Sequence, residues 1–181
     1  MQQYVALLRG IAPSGRNMTN DKLRGVFERL GLERVTSVLA SGNIVFRSAD
    51  PDVPDLERRV EAALGADLGL ASRTIIRTEA ELRALLRSDP FPGLTHGPDC
   101  YLTATFLKTA APGVRMDASQ LDPRTRVVRY DAPARAVLAV TVNSDPGAGP
   151  RFVTWLEASY GKDITMRSWL TVRRIVDRFD R

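Results

Sequence analysis

Cysteine and histidine each occur once in the 181 residues, and lysine only three times. The single thiol, Cys100, excludes an internal disulfide. One imidazole, His96, and no acidic pair at ligand spacing leave too few donors for a catalytic metal. His96 and Cys100 lie close in sequence, and such a pair can serve nucleophilic catalysis. Their surroundings are rich in proline and glycine and offer no third, orienting group. A Ser-His-Asp triad would also have to use His96, and no nucleophile elbow is present. Gly147-Ala148-Gly149-Pro150 lacks the Lys-Ser/Thr of a phosphate-binding loop and the full dinucleotide fingerprint, and reads as a turn before a proline-initiated helix. No metal and no cofactor are therefore expected. No apolar run reaches the roughly 20 residues of a membrane span. The opening residues carry no basic segment ahead of a long apolar stretch and no cleavage site. The expectation is a cytoplasmic protein without a membrane partner.

What is present is ordinary globular material, 44% hydrophobic and 26% charged, enough for one domain or two small packed ones. The net charge is +5 and the pI about 9.9, which invites a nucleic-acid reading. Of the 26 basic residues only Lys22, Lys108 and Lys162 are lysines; 23 are arginines. Together with many alanines this resembles a GC-rich coding bias. The arginines are spread along the chain, often beside Asp or Glu, so a solvated surface and a functional basic patch both stand as readings. An RNA-stacking face would need exposed strand aromatics. Tyr4, Phe46, Tyr101 and Phe106 fit inward positions equally well.

The periodicity predicts a strand over residues 4–8. A helix follows, capped by Thr19, with Leu23, Val26, Phe27 and Leu30 in one stripe and Gly31 as its stop. Residues 35–40 and 44–47 read as strands joined by a two-residue Gly42-Asn43 turn. Pro54 opens a second helix carrying Leu56, Val60, Ala63 and Leu64, and residues 73–77 form another strand. Thr78 and Glu81 make a capping box for a linking helix that Pro90 and Pro92 end. The order then repeats: a strand over 101–108, a helical stretch over 113–121, strands over 126–130 and 136–142, a turn over 145–150, a helix with Phe152, Leu156 and Tyr160 closed by Gly161, and a short strand near Ile164. A last helix carries Trp169, Val172, Val176 and Phe179 inward. The expected fold is α+β. Two packed ferredoxin-like (β-α-β-β-α-β) subdomains span residues 1–78 and 100–181, the latter including the C-terminal helix, with residues 79–99 as linking helix and loop.

In a β-α-β-β-α-β unit the end of the first strand and the turn joining the second and third strands meet on one sheet edge. That edge would bring together Arg9, Gly10, Arg16 and Asn17 with Ser41, Gly42 and Asn43. Glycines there would let backbone N–H groups approach a ligand, and the arginines would pair with an anion. Equally, Ser41, Gly42 and Asn43 make a plain hairpin turn. Near the end, Arg167, Thr171, Arg174 and Arg178 read as one helical face opposite Trp169, Val172 and Val176. That face is either merely solvated or, through Arg167, Thr171 and the first N–H groups of the helix, a site for an anion. Thr165 or Ser168 would cap the helix.

Leu7-Leu8-Arg9-Gly10-Ile11, Gly15-Arg16-Asn17, residues 23–31 and Ser41-Gly42-Asn43-Ile44-Val45-Phe46, together with Thr165-Met166-Arg167-Ser168-Trp169-Leu170-Thr171-Val172, resemble the bacterial domain of unknown function 1697 family. The resemblance implies two packed α+β subdomains and no established activity. Two places depart from the family pattern: Ala12-Pro13-Ser14-Gly15 replaces Asn and a Gly pair, and Leu170 stands where Asn is usual. Two functional classes follow from the residues. One is a binding module for a phosphate-bearing ligand, nucleotide or nucleic acid, using the arginines and glycines, with an anionic small molecule or nucleic acid as the partner. The other is a metal-independent enzyme relying on Arg, Ser and Asn electrostatics, weakened by the lack of a general base. A protein–protein surface is the remaining alternative.

Overall fold

The computed structural model describes residues 1–12, 14–40, 42–111, 124–142 and 148–181. The chain is α+β and divides into two compact units. One comprises Met1–Leu82 with Arg174–Arg181, the other Arg83–Arg173.

The first unit runs β1 (Gln2–Leu8), α1 (Asn20–Arg29), β2 (Glu33–Ser37), β3 (Asn43–Ser48), α2 (Val53–Leu68) and β4 (Thr74–Thr78). Its antiparallel sheet has the order β2-β3-β1-β4, so β3 lies between β1 and β2. Strand alternation sends Tyr4, Ala6, Leu8, Ile44, Phe46 and Ile76 to one face. There they pack on the apolar stripes of the two helices, Leu23, Val26 and Phe27 from α1 and Leu56, Val60 and Leu64 from α2. Phe46 is the hinge of this core, 5.5 Å in ring-centroid distance from both Tyr4 and Phe27.

The helix ends follow local chemistry with one exception. Thr19 sits at the N-cap of α1 but its side chain makes no capping hydrogen bond, contrary to expectation. Asp52, one residue before α2, accepts from the Asp55 amide at 3.0 Å. Thr78 and Glu81 form the expected capping box at the start of α3 (Glu79–Arg87), with Thr78 N donating to Glu81 Oε2 at 2.7 Å and Glu81 N to Thr78 Oγ1 at 3.1 Å. At the sheet edge, β4 presents outward amides that no strand receives. Glu61 and Glu57, one helical turn apart on α2, accept them: Thr74 N to Glu61 Oε1 and Ile76 N to Glu57 Oε1, each at 2.8 Å.

Among the described residues the second unit carries β5 (Cys100–Leu107), β6 (Thr125–Asp131), β7 (Ala136–Val142), α4 (Ala148–Tyr160) and β8 (Ile164–Ser168). Its sheet order, β6-β7-β5-β8, is the first unit's permutation advanced by four. Leu107, Val137, Ala139 and Ile164 meet Phe152 and Leu156 of α4 in its core. The repetition reaches single residues. Arg77 lies opposite Val5 in β4, and Arg167 opposite Ala104 in β8. Each guanidinium donates to the carbonyl of the residue before it, at 2.7 and 2.9 Å. The helical stretch expected over 113–121 and residues 145–147 of the turn expected over 145–150 lie outside the described residues. Helix α4 begins at Ala148, before Pro150.

Helix α5 (Trp169–Phe179) begins in the second unit and ends in the first. Arg167 is not on it, as the helical spacing had implied; it belongs to β8. Ser168 instead caps the helix, accepting from the Thr171 amide at 3.2 Å. Ser168→Ala is expected to cost about 1 kcal/mol, the usual worth of such a cap, read as a lower urea midpoint with unchanged slope. Among the described residues no helix is long and apolar enough to cross a membrane.

Candidate functional site

The first unit does bring the two N-terminal segments together on one sheet edge. Leu8 N donates to Gly42 O at 2.8 Å, and a Cβ on Gly42 would stand 2.8 Å from Ile11 Cγ1 and 3.0 Å from Leu8 Cβ. The turn differs from the expected two-residue form. Strand β2 ends at Ser37, Asn43 is already the first residue of β3, and the loop closes between Val38 N and Asn43 O at 2.9 Å. Leu39 and Gly42 supply its left-handed conformations.

Most polar groups of this edge are engaged in holding it. Asn43 is fully buried and its Nδ2 donates to Val38 O at 2.9 Å, which locks the turn. Asn17, itself at φ 65°, donates to Leu68 O at 3.1 Å and accepts from Lys22 Nζ at 2.8 Å. Ser72 Oγ donates to Arg9 O at 2.8 Å, and Arg9 N donates to Arg73 O at 2.8 Å, so the backbone beyond β1 is pinned to the approach to β4. Arg9 is half-buried, whereas Gly10 and Arg16 are exposed. Ser41 lies outside the described residues. The edge therefore joins Gly42 to Leu8 and Ile11, the residues that flank Arg9 and Gly10, turns the Asn43 side chain inward, and engages the Asn17 side chain with Leu68 and Lys22.

Arg167 and Thr171 belong to the second unit. Arg167 Nη1 donates to Thr165 Oγ1 at 2.8 Å as well as to Met166 O. Burial strips water from the guanidinium and lowers its pKa to about 10, so it stays cationic at neutral pH. Thr171 is buried and its hydroxyl lies 2.9 Å from Ser168 Oγ. Both act first as fasteners of the β8–α5 corner.

A different cluster has the makings of a site. On the sheet face opposite α1 and α2, a cavity of about 380 Å³ is lined by Gln3, Arg34, Val35, Thr36, Val45, Arg47, Arg178 and Arg181. Period-2 alternation puts Val45 and Arg47 on that face, with Gln3 directly across from Arg47 and Thr36 across from Val45. Between the pairs Glu33–Arg47 and Thr36–Val45, the two residues Arg34 and Val35 oppose Phe46 alone, a β-bulge with Arg34 at φ 49°. The bulge brings Arg34 to the cavity. The last turn of α5 and the second residue beyond it bring Arg178 and Arg181, whose backbones are joined by Arg181 N to Arg178 O at 3.3 Å.

Four guanidiniums thus line one cavity without a carboxylate among them. None of the four makes an ion pair or side-chain hydrogen bond within the described residues. Glu33, opposite Arg47 in register, neither pairs with it nor lines the cavity. Arg47 Nε is sealed from solvent and has no hydrogen-bond partner. Buried donors are nearly always satisfied, so this one is an exception to the usual pairing. A smaller recess of about 220 Å³ adjoins it through the shared Arg178 and Arg181, and adds Arg174 and Asp177. Helical spacing had placed Arg178 on a polar face; Arg34, Arg47 and Arg181 carried no signal, because a bulge and a tertiary approach assemble them.

Comparison with known proteins fits this fold. Residues 1–131 match the family model described as a protein of unknown function, DUF1697. The chain belongs to this family. The DUF1697 match includes the β1 edge, Arg34 and Arg47, while Arg178, Arg181 and the Arg167–Thr171 segment lie beyond it. A solved structure of a conserved bacterial protein from Streptococcus pneumoniae superposes with a TM-score of 0.71 at 19% identity, covering 100% of this chain and 99% of that one. At that identity the likeness speaks for the fold. No curated protein matches the chain.

Proposed function

We propose that this protein is a binding module for a phosphate-bearing ligand, nucleotide or nucleic acid, and that the ligand sits in the arginine-lined cavity of the first unit. One observation carries the reading: Arg34, Arg47, Arg178 and Arg181 converge on one cavity whose described lining residues include no Asp or Glu, and one of them holds a buried N–H with no partner among the described residues. Four like charges repel one another, and an anion entering the cavity relieves that repulsion while satisfying the donors. Thr36 adds a neutral hydroxyl beside the charges, and Val35 and Val45 give an apolar floor. Each unit is best classed as ferredoxin-like, a reading supported by the shared strand permutation.

The test is a low-salt titration with inorganic phosphate, pyrophosphate, nucleotides and a single-stranded oligonucleotide, followed by melting temperature and calorimetry. A ligand of the folded state raises the melting temperature. Affinity should fall steeply with salt, the slope counting the phosphates neutralised. Arg47→Met keeps the aliphatic bulk and removes the charge; it should weaken the best anion about tenfold, roughly 1.4 kcal/mol. Arg9→Ala and Arg16→Ala should leave that affinity unchanged. The reading fails if no anion binds, or if Arg47→Met binds as tightly as the native chain.

A further inference from the structure

The second unit contains a cavity of about 500 Å³, and nothing in the anion-binding reading uses it. Its floor is apolar and closely packed. Phe91 and Trp169 meet edge to face at a centroid distance of 5.1 Å, and Leu102 of β5 lies beside them, all three buried. Its rim is apolar too, but open: Leu94 and Leu170, both lining residues, are 40% exposed. Among large hydrophobic residues such exposure is unusual here, and the two leucines share one mouth.

Three ionisable groups line the same space, Asp89, His96 and Arg173. The chain's only histidine is held in a fixed pose. Its Nδ1 accepts the Leu102 amide at 3.1 Å, and its ring packs on Tyr101 at 4.7 Å. With Nδ1 committed as acceptor, the neutral ring carries its hydrogen on Nε2 and has one remaining function, as a donor. Arg173 is exposed and makes no ion pair or hydrogen bond within the described residues. A cavity of this size with aromatic walls and a few polar groups has the character of a small-molecule site.

We propose that this cavity is a second, separate binding site, for a small molecule with a flat apolar ring and one carboxylate. The ring would occupy the space over Phe91 and Trp169 under the two leucines. The carboxylate would take Arg173, whose planar fork matches it, together with the donor of His96. The site shares no residue with the arginine-lined cavity of the first unit, so the two proposals stand or fall separately.

The experiment uses the full chain and 1-naphthoate as probe, with the neutral 1-naphthylmethanol as comparator. The readouts are the ring resonances of the sole histidine and the indole resonance of Trp169, separated from Trp155 by the Trp155→Phe variant. The expected result is a saturable shift of both resonances by 1-naphthoate, with affinity about tenfold above that of the alcohol. Arg173→Met, at an exposed position that leaves folding intact, should bring the two probes to equal affinity. Absence of any saturable shift up to millimolar probe would overturn the site. Shifts that are equal for acid and alcohol in the native chain, or unchanged for the acid in Arg173→Met, would overturn the assignment of a carboxylate ligand. Binding of 1-naphthoate without movement of the His96 resonances would place it elsewhere and count against the proposal.

Discussion

Gly42→Ala is expected to lower the unfolding free energy by about 3 kcal/mol, from two separable causes. The first is backbone strain. Gly42 has φ of 70°, and an L-residue held there costs roughly 1–2 kcal/mol. The second is a collision. The new methyl would stand 2.8 Å from Ile11 Cγ1 and 3.0 Å from the Cβ atoms of Ile11 and Leu8. Leu8 is a core residue of β1, so the strand cannot retreat without disturbing Phe46 and Tyr4 behind it. Forcing atoms into a packed site typically costs a further 1–3 kcal/mol. Urea unfolding followed by circular dichroism measures the sum. Ile11→Ala in the Gly42→Ala background removes the Cγ1 contact, so it should recover part of the collision and leave the Cβ contacts and the strain, giving a coupling energy of roughly 1 kcal/mol. A loss below 1 kcal/mol, or no coupling between the two positions, would mean that the loop moves freely and that the edge is not the rigid junction described above.

What the sequence made legible was mostly local. The stripe Leu23–Val26–Phe27, the capping box of Thr78 and Glu81, and the stops at Gly31 and Gly161 depend on neighbours within one or two helical turns. Each appears where it was expected. The meeting of the Arg9 and Gly42 segments was also legible, because it follows from element order alone. Three features were not. Arg167 has perfect helical spacing to Thr171, yet β8 pairs with β5 through Ile164–Ser168, and strand pairing overrides a side-chain period. Asn43 looked like a turn residue open to ligand, but the first pair of the β1–β3 register, Leu7 with Asn43, draws it into the sheet. The arginine cavity depends on a one-residue bulge in β2. A bulge has no sequence mark of its own, yet a single slipped residue exchanges the faces of a strand. Sites assembled by tertiary approach therefore leave no local mark in the sequence, while the core does.

Glu57 carries the second large expectation. In the sequence it directly follows Leu56, a core position of α2. In the structure it is 3% exposed and accepts the Ile76 amide of edge strand β4 at 2.8 Å. Ile76 is itself a core residue with no exposure, so water cannot replace the lost acceptor. Glu57→Ala is expected to destabilise the chain by about 2–3 kcal/mol, the cost of stranding a buried amide whose hydrogen bond was to a charged group. Glu57→Gln keeps an oxygen in reach and should lose less, roughly 1 kcal/mol, because the bond is no longer charge-assisted. Hydrogen exchange at the Ile76 amide separates this from a general loosening. It should accelerate strongly in Glu57→Ala and modestly in Glu57→Gln, while the Thr74 amide stays protected by Glu61. If Glu57→Ala is as stable as the native chain, or if the Ile76 amide exchanges no faster than before, β4 does not need its helix-borne acceptors. The edge would then have to be protected by some other contact.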